Sequence, residues 1–96
     1  MRSLSGQFGG GNVVSDQLCL IYDTESGAIL QHHRAVTFEG GKTPSTDEMA
    51  EFALEHARRR LQDNRTIDVL HVNPTAFQRG RRYRVDHKKK ALISDT

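Results

Sequence analysis

Five histidines, one cysteine and a cluster of cations are the residues of this 96-residue chain whose types could do chemistry. Cys19, His32 or His33, and His71 fall in three segments that read as neighbouring strands, and imidazole with thiolate is a proper ligand set for zinc. The spacing carries that no further. No CxxC, HxH or HExxH pair occurs, and adjacent His32 and His33 point to opposite faces of a strand, so at most one joins any site. His56 lies on a helical stripe that covers a sheet, where a hydrogen-bonded structural histidine is the plain expectation. Cys19, inside an apolar run, reads as a small buried hydrophobe. No metal ligand and no cofactor is assigned.

Gly40-Gly41-Lys42-Thr43 stands between a strand and a helix, the place of a phosphate-binding loop. That loop needs a glycine five positions ahead of Gly41, where this chain has Val36. The helix also opens only after Pro44, so Lys42 does not ride its first turn, and the segment reads as a linker. Acid–base and nucleophilic catalysis find only scattered parts. No serine sits in a nucleophile elbow, and the carboxylates lie mostly at turns and on an exposed helix face. A chain this small also has little area for an enclosing pocket. No catalytic residue is assigned, and a non-enzyme is expected.

The charge pattern is more informative. Residues 79–90 hold seven cations against Asp86, a net +6, so a chain whose total is only +2 carries −4 over the remainder. On a strand, Arg82 and Arg84 share one face while Arg81 lies with Tyr83 and Val85 on the other, and three lysines cap the hairpin. Cations then project from an edge and a tip. Such a ribbon can meet a phosphate backbone, with Tyr83 free to stack on a base. The same residues also guard an edge strand against pairing and keep a turn solvated. An acidic protein surface, including a second copy, is a third partner. The residues at issue are Arg79, Arg81, Arg82, Tyr83, Arg84, Lys88, Lys89 and Lys90.

The elements that position these groups follow from local pattern. Leu18-Cys19-Leu20-Ile21-Tyr22, the turn Asp23-Thr24-Glu25-Ser26-Gly27 and a return strand to Phe38 read as a hairpin, with Gly27 at positive φ. Leu30, Val36 and Phe38 mark the expected core face of the return strand. Ser45 as N-cap and Glu48 three residues on open a helix. Met49, Phe52, Ala53, His56, Ala57, Arg60 and Leu61 form its expected sheet-facing stripe, and Asp63-Asn64 its end. Ile67–Val72 reads as a third strand stopped by Asn73-Pro74, followed by one helical turn over 75–77. Arg81–Val85 and Ala91–Ile93 then make a last hairpin. Its Arg84-Val85-Asp86, four residues, Ala91-Leu92-Ile93 repeats the grammar of Ile21-Tyr22-Asp23, four residues, Ala28-Ile29-Leu30. Shared turn chemistry suffices to account for a match that short.

Composition sets the frame. Leu, Ile, Val and Phe make up 22 of 96 residues, just above the ~20% below which chains stay disordered. The core is thin, and there is room for one domain. Residues 1–16, rich in Gly and Ser, read as a flexible tail, and 17–94 as the folded unit. A single cysteine excludes an internal disulfide. No signal-like or bilayer-length apolar run occurs, so a cytoplasmic protein with no membrane contact is expected. The expected fold is α+β, ββαβββ, with a mostly antiparallel sheet of four or five strands and one helix on one face. Its other face or an edge is then open to a homodimer partner. The functional expectation is a small non-catalytic interaction module that self-associates. A nucleic-acid-binding domain using the basic hairpin is the first alternative, and a small metal-binding or enzymatic domain the second.

Overall fold

Two aspartates set the two hairpins. Asp23 Oδ1 accepts the amides of Glu25 (2.8 Å) and Ser26 (3.2 Å), and the chain reverses at Gly27 with φ +79°. Asp86 Oδ1 accepts the amides of Lys88 (3.1 Å) and Lys89 (3.3 Å), and the reversal there falls on Lys90 with φ +50°. The repeated sequence grammar is therefore repeated turn chemistry, with Lys90 standing where the first hairpin has glycine.

The computed structural model describes residues 12–61 and 65–94. In chain order the elements are β1 (Val13–Asp23), β2 (Ile29–Phe38), α1 (Thr46–Leu61), β3 (Ile67–Val72), a single 3-10 turn (Pro74–Ala76), β4 (Tyr83–Asp86) and β5 (Ala91–Ser94). This is the expected α+β order with antiparallel pairing. The expected cap is in place: Ser45 Oγ accepts the Glu48 amide (3.1 Å) and Glu48 Oε1 accepts the Ser45 amide (2.9 Å). The expected end of the helix at Asp63-Asn64 lies outside the described residues, as does residues 1–11 of the expected tail. Val13–Asp16 form the start of β1.

The five strands do not make one sheet. β1 is central in a three-stranded sheet of order β2-β1-β3, and β4 and β5 pair with each other alone. The physical reason lies in β1, which is buried on both faces: Leu18, Cys19, Leu20, Ile21 and Tyr22 are all inside. Alternation sends Cys19 and Ile21 toward α1, where they meet Met49, Ala53 and Ala57. Leu20 and Tyr22 point the other way and need a cover of their own. On that side the 3-10 turn lies against β1 and β4 lies against β2, with Phe77 meeting His32 and Val85 buried at the hairpin's centre. The sheet face expected to be open is therefore closed at this end.

Two further expectations are corrected by the same packing. On the helix the buried line is Met49, Ala53 and Ala57, with Leu54 and Leu61 packed beside it, whereas Phe52 is 65% exposed and His56 is exposed. Alanines four residues apart let the helix axis approach β1 and β3 closely, which turns the larger Phe52 outward. On β2 it is Ala35, not Val36 or Phe38, that joins the helix-side core; those two are 41% and 49% exposed. Among the described residues, no helix is long and apolar enough to cross a membrane.

Candidate interaction surfaces

The basic segment splits into parts. Arg79, Arg81 and Arg82 lie in the loop before β4, around Gly80 with φ +83°, so Arg81 and Arg82 do not take the strand positions expected of them. Lys88 and Lys89 form the exposed tip beyond β4. Lys90 turns back to Asp68 on β3 at 3.3 Å. Asp68 also hydrogen bonds the hydroxyl of buried Tyr22, and burial first, then the Asp68 charge, raises the Tyr22 pKa. Tyr83, expected to be free for stacking, is committed inside the protein. Its hydroxyl accepts the Gln78 amide at 2.7 Å, and its ring meets Phe77 edge-on at 4.8 Å. Phe77 in turn sits against His32, ring centres 5.2 Å apart.

The cysteine and histidines are brought together in part. Cys19 pairs across β1 with His33 of β2 on one side and His71 of β3 on the other, so three residues form one row on the helix face. His32 takes the opposite face, as alternation requires. The row does not converge into a site: among the described residues, no three His, Cys, Asp or Glu side chains are placed to hold one metal ion. Cys19 is fully buried, and burial raises its thiol pKa, which keeps it protonated and unreactive.

His33 belongs instead to an aromatic cluster that the linear pattern does not display. Its ring lies 5.3 Å from His56 and 6.1 Å from Phe52, and its Nε2–H donates to Gln31 Oε1 at 2.9 Å. Burial, then the neighbouring charges of His56 and His32, holds its pKa below the ordinary histidine value. Beside it a groove of about 360 Å³ runs between β2 and the first half of α1, its apolar floor formed by Ala35, Pro44, Met49 and Phe52 and its margin by His33, Arg34 and Glu48. The signal that could have located this cluster is the i, i+4, i+8 row of Met49, Ala53 and Ala57. A helix seated on that row must carry Phe52 and His56 at its margin.

Among the described residues β2 is also an outer strand of its sheet. Ten residues long, it contains no proline and one charge, Arg34, whose guanidinium is tied by two hydrogen bonds (2.8 and 2.6 Å) to Asp16 of β1. Outward-reaching lysines and prolines are what keep such edges apart. Compared with protein-family models, with curated proteins and with solved structures, the chain matches none.

Proposed function

We propose that this protein is a non-catalytic interaction module that self-associates by pairing the outer edge of β2 with β2 of a second copy. The observation that carries the reading is this edge, unpaired among the described residues and flanked by exposed apolar side chains on both faces: Phe52 on the helix side, Val36 and Phe38 on the other. Antiparallel pairing about a twofold axis extends the order to β3-β1-β2-β2-β1-β3 and keeps both helices on one face. Residues directly opposite must share a face, so the axis passes through a residue rather than between two. Each groove between β2 and α1 then lies next to the partner's Phe52. By contrast, the outer edge of β3 is six residues long, carries Asp68 held by Lys90, and stops at Pro74.

Sedimentation equilibrium at tens of micromolar tests the reading. The expected mass is twice that of the 10.8 kDa chain. The double substitution Val36→Lys with Phe52→Ser, at two solvent-exposed positions, returns it to one chain mass with an unchanged circular dichroism spectrum. A wild-type monomer at that concentration overturns the proposal.

A further inference from the structure

The C-terminal hairpin carries a second surface, independent of the β2 edge. We infer that the rim formed by Arg79, Arg81, Arg82, Lys88 and Lys89 binds the phosphate backbone of a nucleic-acid duplex. All five side chains are exposed, and among the described residues none forms an ion pair; Lys90, the cation next to them, is the one taken by Asp68. The carboxylate within the segment, Asp86, is directed at the turn amides of Lys88 and Lys89, and those hydrogen bonds keep it ionised and in place.

Spacing and aromatic chemistry choose the partner. Five residue steps lead from Arg82 through β4 to the start of the tip at His87, roughly 16 Å of extended strand, which is enough to straddle the ~12 Å width of a major groove, so the two groups can reach phosphates on both of its strands. A single strand is gripped by stacking its bases on free rings. Here Phe77 is engaged with Tyr83 and with His32, and the Tyr83 hydroxyl is bonded to Gln78, which leaves the single exposed imidazole of His87 at the tip, short of the series of rings on which successive bases stack. A protein partner would ask for an apolar centre within the patch. The exposed large apolar residues lie elsewhere, on β1, β2 and α1. What remains is backbone contact without base reading, dominated by counterion release.

Fluorescence anisotropy with a labelled mixed-sequence DNA duplex, its isolated single strand and polyglutamate, across a salt series, tests the inference. With five phosphate contacts per chain, the log of the affinity should fall against the log of salt with a slope of about −4 to −5, roughly twenty-fold weaker for each doubling of salt. The triple substitution Arg81→Glu, Arg82→Glu, Lys89→Glu should abolish binding while leaving the melting temperature unchanged. No duplex binding at low salt, a flat salt dependence, or tighter binding to the single strand or to polyglutamate overturns the inference.

Discussion

The amide of Val85 donates to the carbonyl of Gly27 at 2.8 Å, and this bond joins the two hairpins of the protein. A Cβ on Gly27 would stand 2.2 Å from the Val85 carbonyl oxygen, and Gly27 also holds φ +79°. Both requirements fall on one residue: the first turn needs a left-handed conformation, and the cover over Leu20 and Tyr22 needs backbone to approach backbone.

Gly27→Ala therefore pays for strain and displacement together. The expected loss is roughly 2–4 kcal/mol of unfolding free energy, read from the urea midpoint. A loss well under ~1 kcal/mol would show that the hairpins are not held together at this contact.

Lys90 occupies the equivalent position of the second turn without the freedom of glycine. Lys90→Gly relieves the left-handed strain but loses the half-exposed ion pair with Asp68, and a net gain of about 0.5 kcal/mol is expected. Lys90→Val, with a branched Cβ in the same conformation, should lose about 1–2 kcal/mol. Thermal unfolding of the pair measures the difference, and equal stabilities would contradict the assignment.

Acid should weaken the fold in two stages. His33 titrates lower in the folded chain than its ordinary value of 6.5, so the unfolded chain binds its proton first. Its contribution is complete above pH 6.5 and declines as pH falls from there through the lowered folded value. Asp16, Asp23, Glu48 and Asp86 are also lowered, by the hydrogen bonds they accept from Arg34, from turn amides and from the cap of α1. Their contributions are full well above their ordinary values, 4.5 for Glu48 and 3.8 for the aspartates, and fade as pH falls through those values toward the lowered folded ones. In His33→Gln the first stage should vanish and the second remain, as followed by urea denaturation across pH. An unchanged profile would show that His33 is not the group responsible.

Local chemistry was legible wherever a few adjacent residues suffice. Ser45 with Glu48 specifies the start of α1, Asp23 with Gly27 the first turn, and Asn73-Pro74 the stop after β3, since each motif satisfies its own backbone groups within a few residues. The basic segment was equally plain as a count of charges. Its working form was not, because Lys90 is withdrawn by Asp68 and Tyr83 by Gln78 and Phe77, partners whose positions depend on how the hairpin docks.

The sequence by itself determined the element order, the two turns, the helix cap and the charge asymmetry between residues 79–90 and the rest. Tertiary structure decided which sheet face each element covers. Alternation along β1 makes Cys19 and Ile21 one apolar row and Leu20 and Tyr22 another, but says nothing of what lies over either. The alanine row of α1 fits the first closely, which turns Phe52 and His56 to the margin. The second row's side of the sheet takes the 3-10 turn and the C-terminal hairpin, which packs on the sheet instead of extending it and leaves β2, among the described residues, as an unpaired edge.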